Sequence, residues 1–456
     1  MSAPMFVLPG IGALLTLVYV RPQEVFEILR PVTVPSVVLV VVLGYVLDVR
    51  AGITRPRPTL LLGLQLAFFS WALLTVAVKA PGQMKEHMIY FLAASMVMSL
   101  ATSQGLQTLR GFWAVANILL VITLFLASVG IHQGLSQKVC IDSIEETLPA
   151  GTEFERPPCK TRMDCVETGI LGHDYLCEHV GLFRTTSVGG RVRYRGIFQD
   201  PNELAWALNM ILPFAFAWFE RRRSLGRLTG VILMTAACIT CNVMTRSRSG
   251  QLALLATLGV YFVRRLGRRG LVIGGVLALP VAILGGRSDE ASTLERLECW
   301  AEALGLWREN PFMGIGARQF GEYHYLTAHN SFVLSLAELG PVGLMIWTAV
   351  LYLALKITIQ VQRDFAGRPE AQAARGAAFA LMAGLVGLVT SAMFLSITYH
   401  AAFWIQIGLA GAVQGAVQRH DPTWRVRWRW IDTALVAGID VFLLSAIAFY
   451  LRWKGV

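Results

Sequence analysis

The chain has 456 residues, of which 55% are hydrophobic and 15% charged, and its formal net charge is +11. A soluble chain of this length carries nearer to about a quarter charged residues, so the composition excludes an ordinary soluble enzyme. The positive balance does not indicate nucleic acid, because no soluble basic domain remains to hold it and membrane proteins gather basic residues in their inner loops.

Apolar blocks of membrane-crossing length follow one another along the chain, and lipid leaves helix as the only backbone that satisfies itself. Spans are predicted near 5–20, 33–48, 59–78, 87–102, 111–131, 203–219, 228–245, 249–263, 270–286, 331–356, 374–397 and 399–417, with a thirteenth at 432–451. No basic stretch precedes 5–20, which therefore reads as a retained span and not a cleaved leader. Asp440 within 432–451 leaves open that this last segment lies along the membrane. With the N-terminus inside, the inner loops and Arg110 hold 20 Lys and Arg, while the short outer loops 21–32, 79–86 and 245–249 hold six. That asymmetry sets the orientation. The chain thus divides into spans in 1–131, an outer loop 132–202, spans in 203–286, a second outer loop 287–330 and closing spans in 331–456. The expected fold is an all-α polytopic integral membrane protein of about 12–13 transmembrane helices with two long outer loops.

Cys140, Cys159, Cys165 and Cys177 lie together in the first long loop. In an oxidising compartment four such cysteines suggest two disulfides, with three possible pairings. A metal site is the competing reading, since His173 and His179 flank Cys177, but the tight paired spacing of zinc sites is lacking. Cys238 and Cys241 fall within a span as small apolar residues, and Cys299 has no evident partner.

Three stretches place polar residues at the outer ends of spans. In 193–206, Asp200-Pro201-Asn202 reads as a capped helix start with Glu203 in the first turn. Capping leaves Arg193 and Arg195 unexplained, and these suit lipid headgroups or a phosphorylated substrate. In 245–251, Arg246 and Arg248 sit with Ser247 and Ser249 in a tight outer turn. Guanidinium forks match phosphate oxygens; interfacial snorkelling is the plainer alternative. In 287–340, Leu294, Leu297, Trp300 and Leu304 fall on one face of a helix over 292–309, lying on or above the membrane. Asn310-Pro311 ends it, Gly314 and Gly316 make a turn, and His329-Asn330 stands at the mouth of the next span. A histidine there suits general-base work near neutral pH, although seven of the eight histidines fall on the outer side and position alone says little.

These stretches together resemble the O-antigen ligase and Wzy-type O-antigen polymerase superfamily, including the O-glycosylation ligases associated with exosortase systems. The matching features are R-G-x-F-x-D-P-N at Arg195–Asn202, S-R-S-G at Ser247–Gly250, R-x₃-W at Arg296–Trp300, N-P-x₂-G-x-G at Asn310–Gly316, A-H-N-S at Ala328–Ser331 and A-E-L-G at Ala337–Gly340. Tyr19-Val20-Arg21-Pro22-Gln23-Glu24 looks like the exosortase-associated group. The resemblance implies a GT-C-like glycosyltransferase of the bacterial inner membrane with a periplasmic active site. It would move an undecaprenyl-diphosphate-linked glycan onto an acceptor hydroxyl, with inversion and without a metal or cofactor. His329 would be the general base. Arg296 with Arg248 or Arg246 would bind the diphosphate and stabilise its departing charge, with Arg195, Asn202 and Asn330 as further substrate contacts. The implied partners are the lipid-linked donor, membrane lipids, and a glycan, lipid A core or protein acceptor, with no nucleic acid. Two features depart from the family pattern, the four-cysteine loop and the thirteenth span. A multi-span transporter or flippase of lipid-linked glycans is the alternative, resting on span count alone; the polar clusters lie at span ends and not at the midplane where transporters keep them.

Overall fold

A computed structural model describes residues 5–83, 86–142, 157–168, 175–270, 272 and 290–455. Thirteen long helices run through these residues: α1 (Val7–Tyr19), α2 (Val34–Arg50), α3 (Leu60–Lys79), α4 (Glu86–Gly105), α5 (Leu109–Leu135), α6 (Pro201–Arg221), α7 (Leu225–Met244), α8 (Arg248–Leu266), α9 (Glu290–Glu309), α10 (Ser331–Asp364), α11 (Gln372–Ala392), α12 (Ala401–His420) and α13 (Trp430–Lys454). Nearly all of the predicted span 270–286, together with His173, lies outside the described residues. The chain is an all-α polytopic membrane protein. Among the described residues, six segments are long and apolar enough to cross a membrane by length and composition: α3, α5, α7, α10, Pro369–Ala392 (which contains α11) and α13.

Helices of similar length that are less apolar owe their composition to where they pack. α12 is buried from Ala401 through Gln418 and faces protein, not lipid. A Cβ at Gly408 would come within 2.8 Å of the Ser99 carbonyl oxygen, and one at Gly411 within 2.0 Å of Ser103 Oγ. Small residues are what let α4 and α12 approach so closely. α6, α8, α10 and α11 form a second packed group. Gly250, at the start of α8, has its missing Cβ position 2.3 Å from the Ala205 methyl on α6.

α10 is broken at Gly340 (φ 66°), with Pro341 following. Proline has no N–H for the Ala337 carbonyl, and the kink removes helical donors from the next two carbonyls. The freed groups find other donors: Ile315 N–H donates to Ala337 O and Gly316 N–H to Glu338 O, both at 2.9 Å. Trp71 Nε1 donates to Leu339 O at 2.8 Å. The N-P-x₂-G-x-G turn is thereby welded to A-E-L-G, and a Cβ at Gly340 would strike the Phe312 carbonyl oxygen at 2.2 Å.

α13 runs antiparallel to α10: Thr348 Oγ1 donates to Asp440 at 2.7 Å, and Tyr352 Oη and Lys356 Nζ both meet Asp432 at 2.6 Å. Asp440 therefore has a helix-borne partner, and 432–451 packs alongside α10. The expected helix over 292–309 exists as α9, but its buried side is rotated from the predicted one. Leu297 and Leu304 are buried together with Cys299, Ala303 and Leu306, while Leu294 is 57% exposed. The contact with α10 selects that side.

In the first long loop, β1 (Lys138–Asp142) and β2 (Tyr175–His179) form an antiparallel ribbon in which Cys140 stands opposite Cys177. The two do not bond to each other. The structure pairs Cys140 with Cys165 and Cys159 with Cys177, one of the three arrangements open to the sequence. The grouping of Cys140, Cys159 and Cys165 thiols that would suit a metal is thus occupied by disulfide bonding, and the His179 ring meets the Ser136 carbonyl at 2.6 Å.

Candidate active site

α6, α8, α10 and α12 all begin at the end of the bundle where the two long loops lie. Each start is capped by its own sequence. Asp200 accepts from Asn202 N–H at 2.7 Å, Ser247 from Gly250 N–H at 3.0 Å, Asn330 from Phe332 and Val333 N–H at 3.0 and 3.2 Å, and His400 Nδ1 from Ala402 N–H at 3.1 Å. Caps of this kind contribute about 1 kcal/mol each. They also use up polar side chains that read as possible substrate contacts.

Asn330 is 1% exposed, and its amide nitrogen donates to the Met393 carbonyl at 3.1 Å. Asn202 is 7% exposed; its Oδ1 accepts from Arg191 at 3.0 Å and its Nδ2 donates to Asp200 at 2.8 Å. Both asparagines, expected among the substrate contacts, have their amides engaged within the protein: Asn330 caps α10 and Asn202 is tied to Asp200 and Arg191. Ser249 shares a 3.1 Å hydrogen bond with Ser247 and is buried with it.

The turn between α7 and α8 sorts its side chains by alternation: Thr245, Ser247 and Ser249 are buried, Arg246 and Arg248 exposed. Neither arginine has an ion pair among the described residues. Arg193 and Arg195 differ from them. Arg193 Nε donates to the Thr186 carbonyl at 2.9 Å, and Arg195 donates to the Phe183 carbonyl. Both are held by their own loop.

Arg191, which the sequence reading passed over, is the linking residue. Its Nε donates to the Thr245 carbonyl at 2.9 Å while its fork reaches Asn202, joining D-P-N to S-R-S-G. A cation followed closely by two others gave no local sign of this, since the partner lies 54 residues away. Trp300 explains the R-x₃-W spacing: its indole N–H donates to the Ala328 carbonyl at 2.8 Å, so α9 pins the residue before His329. Tyr19-to-Glu24 joins the same assembly. Tyr194 Oη donates to the Val20 carbonyl at 2.6 Å, and the Arg21 side chain fills the space a Cβ would need at Gly196.

His329 is half-buried beside Arg296 on α9 and within electrostatic reach of Asp200 and His324. Burial and then the Arg296 cation push its pKa below the ordinary 6.5, with Asp200 opposing. The ring is therefore neutral at pH 7 and able to take a proton. Arg318 is exposed to solvent and interacts with the Glu338 carboxylate and the Tyr399 phenol.

Backbone strain gathers at these residues. Arg246 (φ 50°), Arg318 (φ 59°) and His329 (φ 49°) all occupy the left-handed region. That region costs a side-chain-bearing residue roughly 1–2 kcal/mol, and such strain concentrates at functional sites. His400, by contrast, is a supporting residue. Its Nδ1 accepts from a backbone N–H, so Nε2 carries the proton that meets the Ile197 carbonyl at 3.0 Å.

The class of protein follows from these features: a multi-pass helical membrane protein that presents a histidine and two exposed arginines, Arg246 and Arg248, at one end of its bundle. Residues 232–348 match the family model described as O-antigen ligase. The matched stretch carries Arg246, Arg248, Arg296, Arg318 and His329, and leaves Arg191 and Arg195 outside it. Exopolysaccharide production protein ExoQ of Rhizobium meliloti (strain 1021) is 24% identical over 228 residues, covering 40% of this chain and 52% of that protein. The chain thus spans about half the length of that curated relative. Together the two matches support the O-antigen ligase-like superfamily for this chain.

Proposed function

We propose that the chain is a membrane glycan ligase or polymerase that moves a polyprenyl-diphosphate-linked glycan onto an acceptor hydroxyl at the His329 end of the bundle. One observation carries the reading: hydrogen bonds and electrostatic reach link the D-P-N, S-R-S-G, R-x₃-W and A-H-N-S stretches around that end. Arg191 joins Thr245 to Asn202, Asn202 joins Asp200, Asp200 and Arg296 act on His329, and Trp300 holds Ala328.

In this mechanism the neutral His329 ring takes the proton from the acceptor hydroxyl. The oxygen attacks the anomeric carbon from the side opposite the diphosphate, the bond from that carbon to the diphosphate oxygen breaks, and the configuration inverts. The departing polyprenyl diphosphate gains negative charge, which Arg246, Arg248 and Arg296 offset from fixed positions. The bound state needs no proton donor for this leaving group, since a diphosphate is already a stable anion. Periplasmic placement in a bacterial inner membrane agrees with the distribution of basic residues among the loops.

The test uses purified full-length protein in proteoliposomes with an undecaprenyl-diphosphate-linked glycan. A free glycan, a lipid A core and an acceptor protein are offered in separate arms. Release of undecaprenyl diphosphate coupled to product in one arm is expected, and that arm names the acceptor. His329→Ala should lower turnover by about 10²–10⁴-fold, with Arg296→Ala also impaired and both variants normally inserted. Full transfer by both would sink the mechanism, and movement of the donor across the bilayer without transfer would favour a flippase.

A further inference from the structure

Three of the helices that begin at the His329 end, α6, α8 and α10, finish around a cavity at the opposite end of the bundle, where α11 begins, about 30 Å away by helix length. Its volume is about 980 Å³. Arg221, Arg223, Arg264, Arg265, Arg368 and Arg375 line it against two glutamates, leaving a lining charge of +4. None of these residues belongs to the motifs assigned above.

Helix ends explain part of this basic lining. Arg221 closes α6 and lies over the Trp113 ring at 4.6 Å, and Arg265 near the end of α8 pairs with Glu220 at 3.1 Å. Cations are favoured at C-termini by the helix dipole. Arg368 and Arg375 are different, because they flank the start of α11, where the dipole disfavours positive charge. Arg375 Nε is buried with no hydrogen-bond partner, and α11 has no side-chain cap at Ala371, where the preceding turn engages only the Ala371 and Gln372 N–H groups. An anion in the cavity would satisfy the Arg375 Nε. Depth adds a second constraint. Ala217 lies one turn further into the bundle than Arg221, and Phe379 one turn further than Arg375, and both line the same cavity. The cavity is therefore basic at its mouth and apolar within, which suits a molecule carrying phosphate and hydrocarbon together.

We propose that this cavity binds the phosphate headgroup of an anionic phospholipid, whose acyl chain lies against the apolar wall formed by α6 and α11. A soluble phosphate would share the arginine chemistry but make no use of that wall. Bound there, the lipid ties the end of α6 to the beginning of α11, two helices that also frame the far end of the bundle.

The experiment uses delipidated full-length protein in detergent, with cardiolipin, phosphatidylglycerol, phosphatidylcholine or inorganic pyrophosphate added in separate arms. Retained lipid is counted by native mass spectrometry, and the thermal midpoint is followed in parallel. Cardiolipin or phosphatidylglycerol should be retained and raise the midpoint, while phosphatidylcholine and pyrophosphate do neither. The triple variant Arg223→Gln, Arg368→Gln, Arg375→Gln should lose roughly tenfold or more of that retention. Arg425→Gln with Arg427→Gln, two exposed basic residues outside the cavity, should lose none. If the triple variant does not fold, Arg375→Gln alone is read in the same way and should weaken retention measurably. Equal stabilisation by pyrophosphate, unchanged retention in the cavity variants, or equal loss in the Arg425 and Arg427 control would each overturn the proposal.

Discussion

Two groups of arginines occupy the same end of the bundle and behave in opposite ways. Arg193 and Arg195 lie in an irregular loop and donate to carbonyls of that loop, and Arg191 reaches across to the Thr245 carbonyl at the α7–α8 junction. Arg246 and Arg248 lie in that junction itself, and their side chains remain exposed. Residue type is alike in the two groups. Whether a guanidinium is available to a ligand depends on what the surrounding backbone still needs.

The sharpest way to break that comparison is to neutralise one group at a time. Arg246→Gln with Arg248→Gln should lower transfer by about 10²–10³-fold and leave the thermal midpoint unchanged. Arg191→Gln should instead lower the midpoint, since it unties Thr245 from Asn202 and strands buried groups. If the double variant unfolds the protein while Arg191→Gln only slows it, the two roles are reversed.

The support of the first group can be loosened from further away. Cys140→Ser with Cys165→Ser opens a link between residues 25 apart and should cost about 3 kcal/mol in the stability of that loop. Peptide mapping without reductant should recover the Cys140–Cys165 and Cys159–Cys177 pairs. Recovery of Cys140 joined to Cys177 would contradict the arrangement described.

Titration separates His329 from the arginines around it. Its pKa lies below 6.5 in the folded protein, so activity should be full at neutral pH and fall only as the pH drops through that lowered value. Arg296→Gln removes a cation that disfavours the protonated ring, so the pKa rises and the acid limb moves to higher pH. Asp200→Asn removes the opposing anion and should move the limb to lower pH. Limbs that do not move in opposite directions would detach both residues from His329.

The smallest effect concerns strain. Arg246→Gly relieves a left-handed backbone and should raise stability by about 1 kcal/mol while lowering transfer as Arg246→Gln does. A variant that is destabilised would mean that the guanidinium, and not the turn, holds that conformation.

Much of the fold could be read along the chain because it depends on local pattern. Helices occur at twelve of the thirteen predicted spans, and the other, 270–286, falls almost wholly outside the described residues. Asp200, Ser247 and Asn330 were recognisable as helix starts or turn residues from neighbours one to three positions away. The site was less legible. Asn202 and Asn330 read as ligand contacts because nothing nearby in sequence reveals that their amides are engaged within the protein, and Arg191 and Arg318 gave no local sign at all. The partner of Asp440 sits on α10, 92 residues away, so an acidic residue that argued against a span proved compatible with one.

The sequence alone therefore determined that this is a helical membrane protein, which loops are long, and which residue types gather at one end. Its hydrophobic block lengths, loop charges and caps act over a few residues, and the physics of lipid allows one backbone answer to them. Only the tertiary structure decided which pairing the four cysteines adopt, which arginines are engaged by carbonyls and which stay exposed, and that a basic cavity lies at the end away from His329. Those outcomes depend on which unsatisfied groups meet when distant segments pack, and spacing along the chain carries no record of that.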